Sequence, residues 1–157
     1  FAILVRRGLL RLRDSVRKSW ASLDSLLLER HDLLAKLVDL CASHMRYEQD
    51  ALERISRADV ATFGAAARKD IPALAAAEKT LCASFATLLA VADNYPVLCM
   101  EPDFVRLRER LLCIGAAIIE HRELYNSAVN LLNVRSQVFP HRMVARATGF
   151  HAQVLFE

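Results

Sequence analysis

Apolar residues and their stand-ins recur in alternating steps of three and four from Leu9: Leu12, Val16, Ser19, Leu23, Leu26, Arg30, Leu33, Leu37, Leu40, His44, Tyr47, Ala51. That spacing keeps one stripe turned toward a partner and predicts a long, coiled-coil-like helix. Leu27, Leu34, Val38, Cys41, Met45 and Leu52 widen the stripe into a face that covers more than one neighbour. Such a helix of about 50 residues would extend about 75 Å, so it must outrun its partners or bend. The pattern fades near Arg57, and Ala58 to Asp70, with Gly64 inside, reads as a frayed helix end followed by a loop.

Asp70 ahead of Pro72 supplies a cap and a first-turn proline, and restarts the helical pattern. Its register is Leu74, Glu78, Leu81, Phe85, Leu88, Ala92, Tyr95, stopped by Asn94, Tyr95 and Pro96. Pro102 and Asp103 open a third helix with the register Phe104, Leu107, Leu111, Ile114, Ile118, His121, Tyr125, Ala128, Leu132, Arg135, Phe139, closing at Pro140. Gly115 in its middle costs about 1 kcal/mol against alanine and signals close helix approach or simple tolerance. From His141 a short helix through Ala147 is expected, then Gly149 and an extended end.

Three registers joined by short connections predict an all-α fold: an antiparallel up-down bundle of three long helices plus a short C-terminal helix, with coiled-coil-like packing and crossings of about 20°. Residues 1–157 form a single domain in this reading, with 1–5 an apolar stub and 140–157 the short helix and tail. Composition agrees, since 54% of residues are hydrophobic, 25% charged, and glycine and proline number only four each.

Charge changes the picture locally rather than globally. The net charge is only +3, yet Arg6, Arg7, Arg11, Arg13, Arg17 and Lys18 crowd the start against the single Asp14. Arg135, Arg142 and Arg146 repeat the pattern near the end. These cations are either a solvated helix face or a surface for an anionic partner. An apolar stub, Phe1 to Val5, followed at once by Arg6 and Arg7 has the pattern of the trailing edge of a membrane span with its cationic flank. Nucleic acid is a poor fit, because no aromatic residues interleave with the basic stretch and no recognition-helix turn is present.

Cys41, Cys82, Cys99 and Cys113 show neither paired spacing nor a CxxC motif, so a disulfide framework is not expected; three of them fall among apolar positions of the predicted helices, where core packing as free thiols is expected, with reduced thiols favouring a cytoplasmic setting. Catalytic chemistry is not legible: no nucleophile sits beside an oriented base, and the Glu-x-x-His pairs of a bundle metal site are missing. His44 and Glu48, one turn apart, read as a hydrogen-bonded pair rather than half a metal site; Glu120 and His121 point in different directions. No enzyme activity, cofactor or metal is expected. The polar intruders in the registers, Arg30, His44, Glu78, His121 and Arg135, form a buried network or snorkel to the rim, and Arg30 is expected to pair inside the bundle.

Trp20, Asp24, Asp32, Leu33, Val38, Tyr47 and Glu48 on the first pattern, Arg30 to Val38 as a block, Tyr95-Pro96 before Phe104 and Leu107, and Arg122 to Asn126 with Val129 and Asn133 resemble the LemA family. Phe139-Pro140, Val144-Ala145, Gly149-Phe150 and Phe156-Glu157 complete the likeness. Ala35 and Lys36 replace the family's Pro-Asn, which should leave the first helix straighter; Gly115 and Leu132 replace a glutamate and a tyrosine. The resemblance implies a single-pass, membrane-anchored helical bundle that carries no catalytic residues and is held at a bacterial inner or specialised membrane. Membrane lipid and membrane proteins are the implied partners, with a membrane metalloprotease among them by family analogy. The function expected is a structural or adaptor role; the alternative is a soluble small-molecule or metal-binding helical bundle.

Overall fold

The structure, a computed structural model, describes residues 1–138, Met143, Arg146, Ala147, Gly149 and residues 153–156. Its described elements are all helical: α1 (Ala2–His44), α2 (Gln49–Ala67), α3 (Ile71–Ala92), α4 (Pro96–Met100) and α5 (Pro102–Gln137). Five helices therefore stand where three long ones were expected. Most of the expected helix from His141 to Ala147, with Phe139 and Pro140, falls outside the described residues.

The first register is cut at residues 45–48. No proline or glycine marks the cut, and the apolar pattern continues across it because Met45 on one side and Leu52 on the other enter the same core. What stops α1 is a turn: the Met45 N–H bonds the Cys41 carbonyl, and the Glu48 N–H bonds that of Met45. Asp50 then lies in the first turn of α2, where the helix dipole favours a carboxylate. Tyr47, expected on the core stripe, is 94% exposed at this corner.

The expected loop from Ala58 to Asp70 is instead mostly helix. Ala58, Asp59, Thr62, Ala65 and Ala66 are buried on α2, an inward face built of small side chains that carries little hydrophobic signal. Alanine is the best helix former, and a single Gly64 does not break such a run. The helix ends with Lys69 at φ 52°, while the Lys69 and Asp70 N–H groups bond the Ala66 and Ala65 carbonyls. This is the left-handed C-terminal motif usually built on glycine. Asp70 next accepts the Ala73 N–H and caps α3, with Pro72 in its first turn, as the sequence predicts.

Two compact units make up the chain: Leu26–Ile118, and Phe1–Ser25 together with Ile119–Glu157. In Leu26–Ile118 the core joins Leu34, Leu37, Cys41 and Met45 from α1 and its end, Leu52, Ile55 and Ala58 from α2, and Leu81, Leu88 and Ala92 from α3 to Leu98, Phe104 and Leu111. The α3 helix is long and apolar enough to cross a membrane by length and composition, with a mean hydropathy of 1.4. Its Leu74, Leu81 and Leu88 enter the interior, and its Glu78 is buried against an arginine.

In the other unit Val5, Leu9, Val16 and Leu23 of α1 are buried, as are Tyr125, Val129 and Leu132 of α5 and Phe156. The α1 helix runs unbroken through Ala35 and Lys36. At Gly115, inside α5, a Cβ would meet nothing within 4 Å. Gly115→Ala should therefore stabilise the protein by about 0.5–1 kcal/mol through helix propensity, read as a rise in the urea midpoint at unchanged slope.

Candidate functional site

Successive spacings of four, seven and seven put Val5, Leu9, Val16 and Leu23 on one side of α1, where at most 7% of each is exposed. Helical geometry then places Arg6, Arg7, Arg11, Arg17 and Lys18 on the remaining arc, and all five are exposed. Arg13 departs from the expected set, because it lies at the edge of the buried stripe and is half-buried. Phe1, Ile3 and Leu4, at 81%, 70% and 69% exposure, add an apolar tip next to the cations. A tip of large apolar side chains beside an arginine-rich arc can enter the boundary between lipid headgroups and acyl chains while its cations meet phosphates.

The polar residues of the registers divide sharply. Arg30 and Glu78 are each 7% exposed and meet side by side: Arg30 Nη1 donates to Glu78 Oε2 at 2.9 Å and Nη2 donates to Oε1. The expected pairing of Arg30 is thus present, with Glu78 as its partner. The arginine Nε–H is buried with no acceptor among the described residues. His44 and His121 are only half-buried, and Arg135 is exposed, because that position of α5 has turned off the core side. Nor do His44 and Glu48 pair: α1 ends between them, and Glu48 accepts from the Tyr95 hydroxyl at 3.3 Å instead.

Next to the arginine lies a pair that no sequence pattern announces. His31 Nδ1 is 2.8 Å from the Asp59 carboxylate, and its ring stacks on Phe63 at 4.3 Å with 20° between the planes. Burial raises the pKa of Asp59, outweighing the opposing pull of His31 and Arg30. Between the ordinary aspartate value and the raised one, the folded chain keeps a proton that the unfolded chain has released, so stability falls as pH climbs through that window. Asp59→Asn should flatten that part of the stability curve, which denaturant titrations from pH 3 upward would show.

The four cysteines are free thiols, but core packing holds for only part of the set: Cys41 is buried, Cys99 half-buried, and Cys82 and Cys113 are exposed. Burial, with Cys99 nearby, pushes the Cys41 thiol up to about 11, which makes it unreactive at neutral pH. Among the described residues no group of three or more His, Cys, Asp and Glu could hold a metal ion.

Of the residues that carry the family likeness, Asp24 and Asp32 are exposed. Half-buried Trp20 meets the buried Tyr125 ring edge-on at 5.6 Å. Asn126 is committed to the chain's own C-terminal segment, whose Phe156 N–H it accepts at 2.7 Å. Neither His31 with Asp59 nor this use of Asn126 was foreseeable from local pattern, since the partners lie 28 and 30 residues apart in the chain.

Compared with known proteins, residues 19–157 match the model of the LemA family. The match begins just after Lys18, so the basic arc lies ahead of the matched region. No curated protein matches the chain.

Proposed function

The chain belongs to the LemA family, and on that premise we propose that it is a non-enzymatic structural or adaptor protein that works at a bacterial membrane. The observation that carries this reading is the start of α1: five exposed cations, one intervening acid and an exposed apolar tip, set opposite a buried stripe. An anionic leaflet attracts such a segment over roughly a Debye length, while the apolar tip adds a salt-insensitive share of the binding. In this proposal the protein is anchored by a single span, as the family resemblance implies, and its helices pack up and down in coiled-coil-like fashion. The arginine arc lies at the headgroups of an inner or specialised membrane. The arginines and the free thiols favour the cytoplasmic side. Membrane proteins, a metalloprotease included by analogy, are the proposed clients.

Co-sedimentation of the full chain with vesicles tests the reading. Binding to phosphatidylglycerol-containing vesicles that weakens as salt rises, with little binding to phosphatidylcholine, is the expected outcome. Equal indifference to both vesicles sinks the proposal and leaves a soluble ligand-binding bundle as the alternative. The groove that alternative would use, lined by His44, Arg46, Tyr47 and Tyr95, is open to solvent and holds no metal-ligand set.

A further inference from the structure

The side chains of Asn126 and Asn133, seven residues apart on α5, each grip one residue of the C-terminal segment by both backbone groups. Asn133 Oδ1 accepts the Gln153 N–H at 2.7 Å, and its Nδ2 donates to the Gln153 carbonyl at 2.8 Å. Asn126 treats Phe156 in the same way, accepting its N–H at 2.7 Å and donating to its carbonyl. Seven residues of helix rise about 10.5 Å, and three residues of extended chain cover about 10 Å. The two amides are therefore spaced to hold positions j and j+3 of an extended peptide by its main chain, as the edge of a sheet would.

Of the held side chains Phe156 is buried, Gln153 and Leu155 are half-buried and Val154 is exposed. Phe156 is 1% exposed, and the Arg122 guanidinium lies 5.7 Å from its ring centroid. Between the two clamped residues Val154 is 55% exposed, and its carbonyl lies 3.5 Å from the Tyr125 hydroxyl, a further backbone contact. Each asparagine amide thus gives one donor and one acceptor to main chain, a use of asparagine that helix packing does not require.

We propose that this face of α5 is a binding seat for an extended peptide carrying an aromatic residue three positions after its first clamped residue, and that residues 153–156 occupy it in cis as a built-in competitor. The seat lies in the unit formed by Phe1–Ser25 and Ile119–Glu157, and its clamps use none of the α1 cations. A tethered tail has an effective concentration of the order of millimolar, so a micromolar peptide from another chain gains the seat only when the tail is weakened.

The test uses the full chain and a fluorescein-labelled peptide of residues 149–157, followed by anisotropy. Phe156→Ala in the protein removes the tail's anchor and should raise affinity for the probe about tenfold or more over wild type. Adding Asn126→Ala and Asn133→Ala should abolish that gain, and a probe with alanine in place of its Phe156 should not bind. Should Phe156→Ala lose the wild-type helical dichroism, Gln153→Pro takes its place, because it removes one clamped N–H and leaves every buried side chain intact. No gain in affinity on weakening the tail, or a gain that survives loss of both asparagines, overturns the proposal.

Discussion

Glu78→Ala should lower the stability of the protein by about 3 kcal/mol or more, because it strips the buried Arg30 guanidinium of the carboxylate that hydrogen-bonds it and leaves only the neighbouring Asp59, already engaged by His31, as counter-charge. In a chain of this size that corresponds to a fall in Tm of about 10 °C or more, measured by helical dichroism. The arginine already has a buried Nε–H without an acceptor among the described residues, so the two-pronged contact with Glu78 is the main offset to its burial. Arg30→Met should destabilise for the complementary reason, leaving the carboxylate alone. The double substitution Arg30→Met with Glu78→Met should recover most of the loss, since two apolar side chains of similar volume replace a pair that was costly to desolvate. If the double variant is as unstable as the singles, packing at the site rather than its charge accounts for the effect.

The second large effect concerns the start of α1. Replacing Arg6, Arg7, Arg11, Arg17 and Lys18 together with glutamine keeps helix propensity and changes only charge. At low salt each such cation near an anionic surface contributes about fivefold to partitioning, so the variant should bind phosphatidylglycerol-containing vesicles about three thousandfold more weakly. Its thermal unfolding should match wild type, because none of the five side chains is buried.

Leu9, Val16, Leu23 and Leu37 in the first register, Leu74, Leu81 and Leu88 in the second, and Phe104, Leu111, Ile114, Ile118, Tyr125 and Leu132 in the third are all buried as the spacing predicts. Large side chains at helical spacing report their own burial. The corner at residues 45–48 was invisible because the apolar pattern continues on both of its sides. The second half of α2 was lost for the opposite reason, its inward face being alanine and threonine.

For the candidate sites the division follows chain distance. The arginine arc is local, so its five exposed members were legible once the buried stripe was placed. Arg30 stood out as a cation in an apolar stripe, and Glu78 as an acid in another; their meeting is the simplest resolution of both anomalies. His31 with Asp59, and the asparagines with residues 153–156, join exposed-looking polar residues across long stretches of chain. The one signal available for the asparagines was their spacing, seven residues apart on α5 and flanking the buried Val129 and Leu132.

In the proposed arrangement the basic arc of α1 meets anionic lipid. The most direct measurement of that contact is the affinity of wild type and of the five-glutamine variant for phosphatidylglycerol-containing vesicles as salt rises from 50 to 500 mM. Wild type should show a steep salt dependence and the variant a weak, nearly flat one. Wild-type and variant curves that coincide would contradict it.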